Sequence, residues 1–363
     1  MAYTINAPSS NTTSVYGSTV CWLDSTHIIS AWIPNGQNSL LACVGTVSGT
    51  TVTYAGSTTA PAGHIASIFA APNLAMLDST HFVLGWSDDA NNNACVVIGS
   101  VSGTTITFGA VLSVGTTTSG SQVQIIGLSA TSFAVNWVSA ATVNRTAYCT
   151  VSGTTITNAG SANRTVTSGA TPIHMASINS TTWVAGDVIG ELFAYNWTGS
   201  VVNAGSIITV STNQQGSLFN IDSSHVGLLW IDASAHVSIN VIGVSSTTLT
   251  AGSTLAYTLA TYAVVNQQLG AVLFSGSNYL IYTHDVTAGK SYAFPGVLSA
   301  GQITLSAPTS YTDGVSSGTG AGFGLDINGS KVVYGIDNQS TVIYDGIITT
   351  GGSSTNSNFL AFM

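Results

Sequence analysis

Residues 100–110 read S-V-S-G-T-T-I-T-F-G-A, and copies of this stretch recur along the chain. Related sequences begin at Val47, Val151 and Val244. Each copy predicts a tight turn at Ser-Gly, followed by a strand in which hydroxyl and apolar side chains alternate. A second landmark precedes each copy, and its clearest form is L-D-S-T-H-F-V-L-G-W at residues 77–86.

The second landmark divides the chain into seven units. The spacings between successive starts are 54, 51, 50, 43, 53 and 51 residues. A period of about fifty residues is typical of repeat architectures. The units start at Leu23, Leu77, Leu128, Ile178, Ile221, Phe274 and Leu325.

The third unit shows the organisation in full: it contains four runs of strand length, separated by clusters of Gly, Ser, Asn and Ala. In the third unit these runs cover residues 122–128, 132–138, 145–151 and 154–158. The first three are apolar on both faces, as expected of strands between neighbouring blades, and the fourth alternates as an outer strand does. Four such strands predict one blade of a β-propeller. We therefore expect an all-β, seven-bladed β-propeller of four-stranded blades, forming a single domain over residues 1–363.

The two ends of the chain carry separate predictions. The seventh unit lacks a clear outer strand, whereas Y-T-I-N at residues 3–6 has the alternation of one. We expect residues 1–10 to complete the last blade and close the ring, which would remove an open sheet edge. The C-terminal extension, residues 350–363, ends in the apolar stretch from Phe359 to Met363. This stretch predicts either docking within the propeller or contact with a partner.

Charged residues are scarce. They make up 5% of the chain and hydrophobic residues 45%, whereas ordinary soluble domains are about a quarter charged. Only four residues are Lys or Arg, which argues against nucleic-acid binding and against attraction to an anionic membrane. The chain contains no run of about eighteen apolar residues, so we expect no transmembrane helix. The N-terminal sequence also lacks the basic and apolar regions of a signal peptide.

The cysteines predict no disulfide. Three of them occupy matching places in successive units, which lie too far apart for a disulfide, and the C-x-x-C metal pattern is absent. We expect the cysteines to be buried and to pack as small apolar side chains; they are Cys21, Cys43, Cys95 and Cys149.

Aspartates and histidines recur at the predicted turn between the first and second strands. An Asp before Ser-Thr predicts a turn held by backbone N–H groups two or three residues further on. Histidines spread around a ring cannot converge on one metal ion, so we expect packing and hydrogen-bonding roles, and no metal or other cofactor. The residues are Asp24, Asp78, Asp222 and Asp326, with His27, His81 and His225.

A second acidic set follows the second strand, beside aromatic residues that end it. In a propeller these loops emerge on one face, where aromatic rings and carboxylates together would suit a saccharide. The alternative interpretation is that the tryptophans are wedges between blades and that the acids keep the disc soluble. The candidate ligand-binding residues are Trp32, Trp86, Asp88, Asp89, Trp137, Asp187, Glu191, Trp230, Asp232, Asp285 and Asp337.

Catalytic signals are weak. The chain contains no G-x-S-x-G, H-E-x-x-H, P-loop or dinucleotide-binding pattern. Glu191, its only glutamate, could pair with Asp187 across a turn, but paired carboxylates need a positioned cleft to hydrolyse a glycan. We expect no enzymatic activity.

The L-D-S-T-H…W and V-S-G-T-T-I-T landmarks resemble propeller repeats of phage structural proteins and bacterial surface proteins. The likeness covers nearly the whole chain and is strongest in units one, two, three and five. It implies the fold and a surface setting, not a chemistry. We therefore expect a non-enzymatic structural or attachment protein on the surface of a virus particle, such as a phage tail fibre. It would be oligomeric and would contact other virion proteins or a host glycan. The open alternatives are an extracellular filament subunit, a lectin and a glycan-processing enzyme.

Overall fold

A computed structural model describes most of the chain, and all of its regular structure is antiparallel β-sheet; the described residues contain no helix. The described backbone covers residues 3–5, 9–13, 15–34, 39–61, 71–88, 90–118, 122–140, 142–166, 172–187, 190–210, 216–231, 236–258, 268–275, 277–285, 289–312, 323–328, 331–337 and 342–350.

The strands form seven sheets, which are the seven blades of a β-propeller. Two short strands precede the first complete blade: β1 (Tyr3–Ile5) and β2 (Ser9–Thr13). Blade 1 contains β3 (Val15–Trp22), β4 (His27–Pro34), β5 (Leu41–Ser48), β6 (Thr51–Tyr54) and β7 (Thr58–Thr59). Blade 2 contains β8 (Asn73–Met76), β9 (His81–Asp88), β10 (Asn93–Ser102), β11 (Thr105–Phe108) and β12 (Leu112–Thr116). Blade 3 contains β13 (Gln124–Ser129), β14 (Ser132–Ala140), β15 (Val143–Ser152) and β16 (Thr155–Thr165).

The remaining blades follow the same order. Blade 4 contains β17 (Pro172–Asn179), β18 (Thr182–Asp187), β19 (Glu191–Trp197) and β20 (Val202–Thr209). Blade 5 contains β21 (Gly216–Asp222), β22 (His225–Ile231), β23 (His236–Ser245) and β24 (Thr248–Thr258). Blade 6 contains β25 (Gln268–Ser275), β26 (Asn278–Asp285), β27 (Lys290–Ser299), β28 (Gln302–Leu305) and β29 (Thr309–Thr312). Blade 7 contains β30 (Phe323–Asn328), β31 (Lys331–Asp337) and β32 (Val342–Thr350).

The first strand of each blade lies at the centre of the ring. Each first strand contacts the first strand of the next blade, and β30 of blade 7 contacts β3 of blade 1. The chain therefore runs outward through each blade. We call the side with the turns between first and second and between third and fourth strands the turn face. The opposite side, which carries the second-to-third hairpins and the connections between blades, is the loop face.

The N-terminal segment closes the ring, as the sequence predicted. Strand β1 pairs with β32 from Tyr3 opposite Thr350 to Ile5 opposite Ile348. Strand β2 pairs with the other half of β32, where Ser9 lies opposite Asp345. Two short strands, β6 and β7, cover β5 of blade 1 in the same way. The closing segment is thus longer than the predicted residues 1–10 and extends to Thr13.

Burial along the strands follows the predicted polarity. The inner strands are covered on both faces, and β9 is buried at every position from Phe82 to Asp88. In the outer strand β11, Ile106 is buried while Thr105 and Thr107 are exposed. The predicted Ser-Gly turn precedes this strand, and its Gly103 has a φ of +60°. Because a positive φ suits glycine, the residue allows the two-residue hairpin. The C-terminal stretch from Phe359 to Met363 lies outside the described residues.

Candidate functional site

All four candidate tryptophans are buried, and none is exposed on the loop face. Their exposed fractions are 2% for Trp32, 1% for Trp86, 1% for Trp137 and 5% for Trp230. Trp137 belongs to an apolar cluster with Val96 of blade 2, and its Nε1 donates to the carbonyl oxygen of Thr116 at 2.9 Å. Trp86, Trp137 and Trp230 pack against residues of the preceding blade, as the wedge interpretation predicts, whereas the apolar cluster of Trp32 contains residues of blade 1. The prediction that these rings form an accessible platform for a saccharide is wrong, because the blades cover them.

Asp88 holds the hairpin between β9 and β10. Asp88 is fully buried. Its Oδ1 accepts the backbone N–H groups of Ala90 at 3.1 Å and Asn91 at 3.3 Å, and its Oδ2 accepts Asn91 Nδ2 at 2.9 Å. This carboxylate therefore shapes the loop from inside. It is not a solvated loop acid.

Asp187 and Glu191 play a related part in blade 4. Asp187 is fully buried and Glu191 is 5% exposed. The Glu191 backbone N–H donates to Asp187 Oδ1 at 2.9 Å, and Gly190 between them has a φ of +78°. The two acids close a hairpin, and their burial does not provide the open cleft that a glycosidase needs.

The other candidate acids are described in part or not at all. Asp285 ends β26 opposite Lys290, and Asp337 ends β31 opposite Ile343. Their side chains lie outside the described residues, as do Asp89 and Asp232 entirely. Ligand binding by this set stays a prediction.

Three of the four predicted turn aspartates, Asp24, Asp78 and Asp222, hold their turns as predicted. In blade 2, Asp78 Oδ1 accepts the N–H groups of Thr80 at 2.7 Å and His81 at 2.8 Å. His81 Nδ1 lies 3.0 Å from Asp78 Oδ2. Burial acts to raise the pKa of Asp78, but the hydrogen bonds from Thr80 and His81 lower it overall. Asp24 makes the same bonds with Thr26 and His27. Asp222 accepts the Ser224 N–H at 2.7 Å and lies 2.9 Å from His225 Nδ1.

Asp326 does not occupy that turn, which corrects the sequence prediction. It lies within β30 opposite Val333, whereas Asn328 pairs with Lys331 across the turn. Asp222 pairs with His225 in the same register in blade 5, so Asn328 is the structural equivalent of the turn aspartates. The sequence did contain a signal for the turn residue. Each turn aspartate lies three residues before the first residue of the second strand, and Asn328 has this spacing whereas Asp326 does not.

Asp326 instead faces the centre of the ring. Its Oδ2 accepts the Trp22 N–H at 2.8 Å, which ties β30 to β3 of the next blade, and its Oδ1 accepts the Ile327 N–H at 2.8 Å. Burial raises its pKa to about 6, although these two hydrogen bonds act to lower it. A carboxyl group with this pKa changes charge near neutral pH.

A cavity of about 300 Å³ lies on the ring axis beside Asp326. Among its polar side chains, Asn73 Nδ2 donates to Gln124 Oε1 at 3.0 Å, and Asn73 Oδ1 accepts the Ile125 N–H at 2.8 Å. All seven first strands line the cavity. One residue from each in chain order is Thr19, Asn73, Gln124, Met175, Ser217, Ala271 and Asp326. This axial cavity is the candidate site that the sequence did not indicate.

Neither metal nor thiol chemistry has support at the described residues. They contain no group of three or more His, Cys, Asp or Glu side chains placed to hold a metal ion. All four cysteines are buried thiols outside any disulfide, as predicted. Burial raises the pKa of Cys95 and of Cys149 to about 12, and the charge of Asp88 adds to the effect at Cys95. No helix in the described part of the chain is long and apolar enough to cross a membrane.

Comparisons with known proteins show a similarity of fold only. No family model matches the sequence, and no curated protein matches it. A crystal structure of a protein from Lactobacillus plantarum superposes with a TM-score of 0.56 at 9% identity, over 80% of this chain and 83% of the other. The crystal structure of Chaetomium thermophilum Raptor superposes with a TM-score of 0.58 at 12% identity, over 98% of this chain. This chain spans 30% of the Raptor chain. At such identities the likeness extends to the architecture and not to the function.

Proposed function

We propose that this chain is a non-enzymatic structural and attachment protein on the surface of a virus particle, in particular of a phage. The observation that carries the proposal is the use of its scarce carboxylates. In a chain with 5% charged residues, each of the following accepts backbone N–H groups of its own hairpin or of a neighbouring strand: Asp24, Asp78, Asp88, Asp187, Asp222 and Asp326.

This use of charge favours a scaffold over an enzyme. Carboxylates held by several backbone N–H groups make the turns rigid, and they are poor proton donors or nucleophiles while they accept those bonds. A rigid ring suits a part that must hold its shape within a larger assembly.

The surface composition also favours assembly. Threonine side chains dominate the exposed positions of outer strands such as β11. Copies or partners can pack on hydroxyl groups without the large cost of removing charges from water. Contacts of this kind would hold together the proposed oligomer and join it to the proposed virion partners.

The attachment contact belongs on the loop face. Asn91 and Asn92 are exposed there, and Asp88 fixes the loop that carries them. Since the tryptophans are buried, recognition of a host glycan or protein would use such amide groups and not aromatic stacking. Glycan contacts of this type are weak singly and need several copies for avidity.

The decisive experiment tests whether the protein is present on virus particles. An antibody against the purified chain, with immunogold detection, is applied to virus particles and to intact cells from the source culture, with pre-immune serum as the control. Gold on particles, with peptides of the chain in their mass spectra, is the expected result. Labelling of cell envelopes alone would instead favour the extracellular filament or lectin, and cleavage of any glycan in a polysaccharide screen would overturn the non-enzymatic assignment.

A further inference from the structure

The axial cavity has the make-up of a small-molecule site. Its volume of about 300 Å³ falls at the lower end of the range for ligand pockets. The lining is more polar than apolar, with Asn73 and Gln124 beside Asp326, and the side chains of Met76, Ile126 and Leu325 add an apolar part. Pockets of this kind bind the carbon body of a ligand through apolar contacts and orient it through a few polar groups.

Asp326 is the charged group of this lining, and no cation compensates it among the described residues. Its contacts there are the N–H groups of Trp22 and Ile327 and the nearby thiol of Cys21. The four Lys and Arg residues of the whole chain are Arg145, Arg164, Lys290 and Lys331, and none of them lines the cavity. An ionised carboxylate that is largely withdrawn from water without a cation costs free energy, and a bound cation would recover part of it.

The carboxylate can still accept further hydrogen bonds. Each of its oxygens accepts one backbone N–H, and a carboxylate oxygen has two lone pairs. Asp326 keeps partial exposure and lines the cavity. One acceptor position on each oxygen therefore remains for a donor in the cavity.

We propose that the axial cavity binds a small organic ammonium ion, with its charged nitrogen at Asp326 and its carbon body against the apolar lining. The inference does not depend on the proposed role in a virus particle. A bare metal ion fits less well, since Ca²⁺ takes about six to eight oxygen ligands and Asp326 supplies the one carboxylate among the described lining residues. An ammonium group needs only a few acceptors, and its alkyl or aryl part matches Met76 and Leu325.

Binding should depend on pH through Asp326. Burial raises its pKa to about 6, so acidification from pH 7.5 to 5 removes the negative charge that the ammonium group needs. The titratable group beside it is Cys21, on the neighbouring β3. Burial and then the charge of Asp326 raise the pKa of that thiol well above its usual value, so it stays neutral over this range.

The test compares two probes of nearly equal shape. Calorimetric titration of the full chain with 2-phenylethylamine and with the neutral 2-phenylethanol isolates the contribution of the charge. We expect the amine to bind at least about tenfold more tightly at pH 7.5, which corresponds to roughly 1.4 kcal/mol. We expect this preference to vanish at pH 5 and in the Asp326→Asn variant. Asp222→Asn, an acid of the turn face, is the matched control and should keep the preference.

A second measurement uses the wild-type protein and therefore still tests the proposal if Asp326→Asn does not fold. Carbon-13 NMR of the side-chain carboxyl groups in the wild-type protein follows the ionisation of Asp326 directly. Bound amine should lower its apparent pKa, and the alcohol should not. The proposal is overturned if neither probe binds at millimolar concentration, if both bind equally, or if the amine leaves the Asp326 titration unchanged.

Discussion

The backbone N–H of Val101 donates to the carbonyl oxygen of Thr80 at 2.8 Å. Val101 begins the V-S-G-T-T-I-T landmark and Thr80 lies in the L-D-S-T-H landmark, so the two repeated sequences meet on the turn face. Equivalent bonds join Val47 to Thr26 and Val151 to Thr131. The two landmarks therefore recur together because each hairpin needs the other: the first turn must present its carbonyl group where the third strand ends.

The first prediction concerns Asp78, whose carboxylate holds Thr80 in this position. Asp78→Ala removes the acceptor for the N–H groups of Thr80 and His81. We expect a loss of about 1 kcal/mol in the free energy of unfolding, by analogy with other side-chain caps. Hydrogen exchange at the Val101 amide should also become faster.

Asp78→Asn is the matched control, because its amide oxygen still accepts the two N–H groups. Asn179 already does this in blade 4, where it accepts the N–H groups of Thr181 and Thr182, each at 2.9 Å. An Ala variant with wild-type stability and Val101 protection would contradict the role assigned to Asp78.

The second prediction concerns acid stability. The folded-state pKa values of Asp24, Asp78 and Asp222 are lowered from 3.8. A depressed folded-state pKa contributes stability above the unfolded value, and this stability is lost as the pH falls through the folded value. Wild type should therefore lose more stability between pH 4 and pH 2 than a variant with Asn at all three positions.

Urea titrations at a series of pH values measure this difference. Asp326 acts in the opposite sense, because its raised pKa makes stability fall as the pH rises from about 4 to about 6. That contribution is common to both proteins and cancels in the comparison. Parallel stability curves for the two proteins below pH 4 would show that the turn carboxylates make no net electrostatic contribution.

The third prediction tests closure of the ring by the N-terminal segment. Deletion of residues 1–8 removes β1 alone, and deletion of residues 1–13 removes β1 and β2. Because both strands pair with β32, the longer deletion should lower the melting temperature more than the shorter one, and both should expose an edge that promotes association. Removal of residues 1 and 2 is the control and should have little effect. Three equal melting temperatures would exclude a stabilising role for closure by this segment.

Most of the fold could be predicted from the sequence because the repeat is local. A period of about fifty residues sets one blade, and the Asp-Ser-Thr-His and Ser-Gly-Thr-Thr patterns encode turns within a few residues. The wedge position of Trp137 also followed from its place at the end of an apolar strand. Each of these features depends on contacts within one unit or between adjacent ones.

The site could not be predicted in this way, because it depends on register and on closure of the ring. Leu325-Asp326 matches the Leu-Asp pair of the turn, yet a shift of two residues turns this acid toward the axis. Asp88 looks like a solvated loop residue in the sequence, and only the hairpin that closes over it makes it a buried acceptor. The axial cavity takes a residue from every blade, so no single unit contains its pattern.

The last prediction concerns how closely the first strands approach each other around that cavity. A Cβ atom on Gly127 of β13 would clash with the carbonyl oxygen of Met76 of β8. The Cβ is fixed to the backbone of β13 and the oxygen belongs to the backbone of β8, so neither can move without shifting a blade. Gly127→Ala should therefore cost roughly 1–3 kcal/mol, as overpacking does. Gly103→Ala meets no neighbouring atom but keeps a positive φ of +60°, so it should cost about 1 kcal/mol from backbone strain alone. Gly56→Ala has neither a close neighbour nor a positive φ and should leave stability nearly unchanged. Urea denaturation of the three variants gives the ranking, and a Gly127→Ala protein as stable as Gly56→Ala would mean that the first strands are not in close contact around the axis.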